Sequence, residues 1–479
     1  MKFLSVTLTL LMLGVCMTAF TQELDRTIRP KAQGVPRVDL PDIQKATLKN
    51  GLKVWLVEAR ELPLVAMNLV FQTGSDHDPA NRAVLASMTA DMLDEGTKTR
   101  NALQIAEELD FIGANLGVNA FTDGSSMTLN CMTKHLDKAL AIYADVLVNP
   151  TFPEKEFERL RQQRLTALLQ QKDRAATIAT LSFNKIIYGN DHPYGRNAAG
   201  DETSIAEMKR EDLLKFYESY YRPNNATLII VGDAKLKDIV KKLDPLLASW
   251  KAARIPSATI PVAPAIDKRM VYLIDKQGAP QSEIRIGFPA IARNSPDFFA
   301  VNLMNRALGG QFASRLNLNL REKRGYTYGA RSSFSFNKQA GPFTASAGVT
   351  TSKTDSSLHE FFYEIDRTQK DGITAEELDF VKKGLSGNFA LTFETPAQIA
   401  GALQNIVLYN LPENYYEMYL QNIDKVTLDD IKRVSGKYLN SSRMAVVVVG
   451  DLSIVKDGIE ALRLGEIVMC DLNGNKLSQ

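Results

Sequence analysis

From residue 52 the chain moves between two hydrophobic periods. Leu52, Val54 and Leu56 alternate with Lys53 and Trp55, and a longer apolar run from Leu64 to Phe71 follows Pro63. Both read as strands. Val84, Leu85, Met88, Met92 and Leu93 then fall at helical spacing, which predicts a helix over 81–95 closed by Gly96. A helix is expected over 102–111, then strands over 115–122 and 126–133 joined by Asp123-Gly124. Helices follow over 136–147, 154–171, 175–187 and 210–220, then a strand over 226–231 and a helix over 236–250. Pro256, Pro261 and Pro264, set among small residues, make 251–267 an extended linker.

The plan then recurs. Residues 221–233 match 439–451, with Gly232 and Gly450 offset by 218 positions, and 152–157 resemble 373–378. Two matches in one order at nearly one offset argue for a duplicated domain. The expected division is a first domain over 46–250 and a second over 268–479. Strands and helices cluster within each half. That predicts an α+β fold of two homologous domains, each a mixed or antiparallel sheet with helices packed on one face.

The N-terminus is different in kind. Lys2 precedes a mostly apolar run over 3–20, and polar sequence begins at Gln22. This is the layout of a secretory signal peptide over 1–21, followed by a polar arm over 22–45. The protein is therefore expected to be exported, to the periplasm, with no stable membrane span once the signal is removed. A retained anchor is the alternative. Lys and Arg number 57 against 55 Asp and Glu, a net charge of +2, so nucleic acid is not expected as a partner. Without the signal, Cys131 and Cys470 remain, too few for a disulfide framework. Cys131 lies in an alternating run and reads as a small core residue.

The four histidines are His77, His135, His192 and His359, and no two fall within five residues. No helical two-histidine metal site can be built from them. Asp76-His77-Asp78 leaves a mixed carboxylate–imidazole site as an alternative. The densest remaining chemistry lies between Gly309 and Ser332, where Arg321, Lys323 and Arg324 stand beside Tyr326 and Tyr328. Guanidinium and phenol donors aimed at a developing oxyanion can stabilise a transition state. A solvated basic turn entering a strand is the other reading.

Ala83-Val84-Leu85 with Met92-Leu93-Asp94-Glu95-Gly96-Thr97 resembles the metal-site helix of the insulinase/pitrilysin family of zinc metallopeptidases. Within that family the match resembles the bacterial and mitochondrial-processing-peptidase-like branch. In that family the helix carries HxxEH, two zinc ligands and a general base. The resemblance places Ser87, Ala90 and Asp91 at those three positions. The region of the third ligand, Arg164 to Leu168, holds no acidic residue. Gly309-Gly310-Gln311-Phe312-Ala313-Ser314-Arg315-Leu316 and Leu320-Arg321-Glu322-Lys323-Arg324-Gly325 resemble the family's arginine–tyrosine motif. Its tyrosine follows its arginine by seven residues, which selects Arg321 and Tyr328, although Tyr326 replaces a usual apolar residue. Residues 113–122 resemble the edge strand that pairs with an extended peptide, so Asn119, Ala120 and Phe121 are expected to bind substrate.

The resemblance implies two-domain subunits that close as a clamshell. It implies no metal in this chain and zinc in a homologous HxxEH partner, as a heterodimer or a dimer of heterodimers. Arg321 and Tyr328 would act on a peptide in the partner's site, with metallopeptidase activity only in that company. A non-enzymatic peptide-binding or scaffold protein of the same fold is the alternative.

Overall fold

The computed structural model describes residues 42–477; the expected signal peptide and most of the expected arm lie outside them. Two six-stranded sheets organise the described residues. The first contains β1 (Gln44–Thr47), β2 (Lys53–Glu58), β3 (Leu64–Phe71), β4 (Asn115–Phe121), β5 (Gly124–Met132) and β6 (Ala226–Gly232). Its order is β1-β2-β6-β3-β5-β4. The second contains β7 (Met270–Asp275), β8 (Gln281–Ile291), β9 (Thr327–Phe334), β10 (Gly341–Thr350), β11 (Ala445–Gly450) and β12 (Glu466–Cys470). Its order is β12-β7-β11-β8-β10-β9.

Five strands of each sheet repeat in position and direction. β2 runs parallel to β6 as β7 does to β11, and the next three pairings of each sheet are antiparallel. The outer strand departs from the repeat: β1 is antiparallel to β2, whereas β12 is parallel to β7. Each half is a mixed sheet with packed helices.

β6 and β11 are buried along their whole length, so each needs cover on two faces. Leu228 and Ile230 pack on helices of the first half, and Val446 and Val448 on helices of the second. The opposite faces are covered by exchange. Ile229 and Val231 meet Ile399, Leu403 and Ile406 of the Pro396–Tyr409 helix, which belongs to the second half. Val447 and Val449 meet Ile178, Phe183 and Ile187 of the Ala175–Tyr188 helix, which belongs to the first. Polar contacts tie the halves further. Asn68 donates to Gln404 at 2.6 Å, Gln72 to the Val407 carbonyl at 2.8 Å, and the Lys338 N–H to Asp123 at 2.8 Å.

Two helices are shorter than the periodicity predicts. The one expected over 81–95 spans Leu85–Asp91, because the buried Asp78 carboxylate accepts the N–H groups of Val84 and Ala86 at 3.0 and 2.8 Å. Val84 itself sits at φ 84°, outside the helical region. The one expected over 236–250 ends at Leu246, next to Pro245. Cys131 and Cys470 are buried free thiols. No helix among the described residues is long and apolar enough to cross a membrane.

Candidate functional site

The Leu85–Asp91 helix packs against edge strand β4 and carries the three positions that the resemblance assigned to a metal site. None is arranged for one. The Ser87 hydroxyl lies 3.2 and 3.3 Å from the carbonyls of Val84 and Ala198. Ala90 is a fully buried methyl. Asp91 accepts a hydrogen bond at 2.5 Å from the guanidinium of Arg164, on the Glu154–Gln171 helix. A methyl cannot act as a base, and a cation already holds the one carboxylate. The residues present do not fit zinc. Among the described residues no group of three or more His, Cys, Asp or Glu side chains is placed to hold a metal ion.

The alternative at Asp76-His77-Asp78 is bound up in backbone contacts. Asp78 caps the helix start, and burial pushes its carboxyl up to about 7. Asp76 accepts the Gly74 N–H at 2.9 Å and lies 2.6 Å from His77 Nδ1. His192 is buried between the rings of Tyr188 and Tyr194, and its Nδ1 accepts the Tyr194 N–H at 3.0 Å.

The arginine–tyrosine segment is built with more care. Residues 306–310 and 318–323 wind as π-helical turns, a form that recurs at functional sites. The second turn carries Arg321 and is pinned on both sides of it. Buried Asn319 donates to Glu360 and Glu364, each at 2.9 Å. Arg324 pairs with Glu360 at 2.7 Å, and Arg367 with Glu364 at 2.7 Å. Two carboxylates buried four residues apart on the Thr354–Asp371 helix are thereby neutralised. Gly325, at φ 67°, closes the turn and leads into β9. The Arg321 head rests 4.8 Å above the Phe312 ring and 3.4 Å from Glu322, and no other side chain among the described residues engages it.

Tyr328 is 89% exposed, the most exposed aromatic ring on β9. Strand alternation alone would bury it with Ala330, Ser332 and Phe334. The pairing with β10 slips here: Ala330 faces Ala347, but Thr327 faces Val349. Tyr328 and Gly329 together oppose Gly348, and this bulge turns Tyr328 onto the face that carries Arg331 and Ser333. Arg321 and Tyr328 do not hydrogen-bond each other.

The edge strands β4 and β9 differ. On β9, Asn317 Oδ1 accepts the Ala330 N–H at 3.3 Å, and Asn305 Nδ2 donates to the Ser332 carbonyl at 3.1 Å. Its outer edge is closed. On β4, the tight turn after Phe121 pairs Phe121 with Gly124, so Leu116, Val118 and Ala120 direct their backbone groups outward. Among the described residues nothing hydrogen-bonds to those groups. Of the three residues expected to bind peptide, Ala120 lies in this outward set, while Asn119 and Phe121 pair with β5.

Sequence reasoning singled out neither Asn319 and its carboxylates nor Phe312. The signal for the carboxylates was available: Glu360 and Glu364 fall on the apolar face of their helix, beside Phe361 and Ile365.

A family profile described as insulinase (peptidase family M16) matches residues 53–196, and one described as peptidase M16 inactive domain matches 207–385. The crystal structure of a peptidase M16 inactive domain from Pseudomonas fluorescens is 30% identical, with a TM-score of 0.80 over 85% of this chain and 98% of that one. A Helicobacter pylori protein named non-peptidase homolog YmxG is 26% identical over 77% of this chain and 85% of its own length. A Bacillus subtilis protein named uncharacterized zinc protease YmxG is 24% identical over 82% of this chain and 94% of its own. The fold, both family matches and these relatives agree: the chain belongs to the insulinase family, peptidase family M16.

Proposed function

We propose that this chain is the non-zinc subunit of an exported, heteromeric zinc metalloendopeptidase, and that it lends Arg321 and Tyr328 to a partner's active site. The observation that carries this reading is the contrast between the two halves. Asp91, at a metal-ligand position, is tied to Arg164 from another helix, whereas Arg321, held among the described residues only by its neighbour Glu322 and the Phe312 ring, and the exposed Tyr328 are presented on a braced turn and an outward bulge. A pure scaffold has no need of two donors presented this way. The names of two relatives, non-peptidase homolog and inactive domain, fit a subunit that does not cleave alone.

In this role the Arg321 guanidinium and the Tyr328 hydroxyl donate hydrogen bonds to the carbonyl under attack or its neighbour. They stabilise the negative charge that gathers on oxygen. The open edge at Ala120 holds extended peptide by its backbone, which requires little sequence specificity. The metal and its water belong to the partner.

The test is reconstitution with an HxxEH-bearing M16 protein of the same cell. Each chain alone should leave a quenched fluorescent peptide intact, and the co-purified pair should cleave it. Cleavage by this chain alone, or a pair no faster than the zinc protein by itself, would overturn the proposal.

A further inference from the structure

Next to Tyr328, at Gly329, a groove of about 460 Å³ opens where the Ala175–Tyr188 helix leaves β8, β9 and β10 of the second sheet uncovered. Its floor is small and polar: Gly329, Ser333, Thr344 and Ser346 contribute no bulk. Three charged side chains line it. Arg285 is fully engaged, with Glu283 at 2.9 Å, the Thr180 hydroxyl at 3.2 Å and the Ala176 carbonyl at 3.2 Å. Glu283 is neutralised in the same pair. Arg331 is exposed and has no hydrogen bond or ion pair among the described residues. The groove therefore carries one unbalanced positive charge, on a guanidinium whose fork suits a carboxylate.

The β9 edge is closed by Asn305 and Asn317, so a peptide here cannot join the sheet as another strand. It has to lie across the face and be held by side chains. The bulge sets Tyr328 on that same face and, because Tyr328 and Gly329 share one position opposite Gly348, places it two strand positions from Arg331, about 7 Å along the strand. An extended peptide has the same rise per residue. We propose that Arg331 is a specificity-determining residue, which selects an extended peptide bearing an acidic side chain about two residues from the carbonyl held at Tyr328. This rests on the reading of Tyr328 given above, but its test does not require the partner.

The probe is a fluorescein-labelled peptide of about ten residues of Ala and Gly with one Glu, compared with its Gln twin by fluorescence anisotropy on the full mature chain. The wild type should bind the Glu peptide about fivefold tighter, the scale of one partly exposed ion pair. Arg331→Gln should abolish the difference, and Arg331→Glu should reverse it toward a Lys peptide. Equal binding of the twins, no binding of either, or a preference that survives Arg331→Gln would each overturn the proposal. If the preference holds while Tyr328→Phe leaves turnover of the reconstituted pair unchanged, the catalytic reading fails and the groove stands.

Discussion

Arg164 donates to Asp91 at 2.5 Å across 73 residues of sequence, and so joins the two helices on which the resemblance set the metal-ligand positions. Asp91 is 41% exposed at its side chain, so the pair contributes at most about 1 kcal/mol to stability. Its larger effect is chemical. A guanidinium beside the site repels a dication, and Ser87→His with Asp91→His should therefore not create tight zinc binding while Arg164 remains. Adding Arg164→Gln, which removes the charge without supplying a carboxylate ligand, should tighten zinc at least tenfold, measured by competition with a chromogenic chelator. Equal affinities with and without Arg164 would show that the cation is irrelevant.

Gly309 lets a helical turn lie directly on β9. A Cβ there would sit 2.3 Å from the Ser332 nitrogen and 2.4 Å from its hydroxyl. Gly309→Ala should destabilise by about 2 kcal/mol, the scale of an overpacked core, and lower Tm accordingly. At Gly310 the nearest atom is the end of the Asn305 side chain, at 2.9 Å, so Gly310→Ala should cost less.

The exchange of helices predicts one cooperative unit. Phe183 comes from the first half and is buried on the second sheet, and both tryptophans, Trp55 and Trp250, lie in the first half. Phe183→Ala should cost about 3–5 kcal/mol. The midpoint seen by tryptophan fluorescence should fall together with that seen by far-UV circular dichroism. A fluorescence midpoint that stays put would show that the halves unfold separately.

Asp297 sets an acid limit. Burial pushes its carboxyl up, but hydrogen bonds from Lys437, Arg433 and Tyr438 outweigh this and hold it at about 2, below the ordinary 3.8. With the folded value below the unfolded one, the stabilisation is present above about pH 4 and is lost as pH falls through about 2. It amounts to at most roughly 2 kcal/mol, since the cations are half exposed and salt screens them. Asp297→Asn should already lack it at neutral pH, and its denaturation midpoint should change less between pH 4 and pH 2.

Much of this was legible in the residue pattern. β3 spans Leu64–Phe71 as read, and the β6 and β11 strands fall at the expected offset, because a buried strand writes its limits as an apolar run between breakers. The exchange was not legible. Ile178, Phe183 and Ile187 show that their helix has an apolar face, but periodicity does not say which sheet that face covers. The Tyr328 bulge was hidden for a similar reason: it arises from a register slip against Gly348, a property of two strands together. The Asp91–Arg164 pair was half legible: the resemblance set Asp91 at one ligand position and Arg164 in the region of another, but neither segment showed that the two would pair. The motif spacing, by contrast, picked Arg321 and Tyr328 from five candidate side chains. In the structure Tyr328 has no hydrogen-bond partner among the described residues, and Arg321 rests on Phe312 and Glu322.

The most direct test of that role is turnover by the reconstituted pair. Arg321→Ala and Tyr328→Phe should each lower kcat about a hundredfold or more, with assembly with the zinc subunit unchanged by size-exclusion chromatography. A pair that assembles and cleaves peptide at the unaltered rate with both substitutions in place would contradict the account.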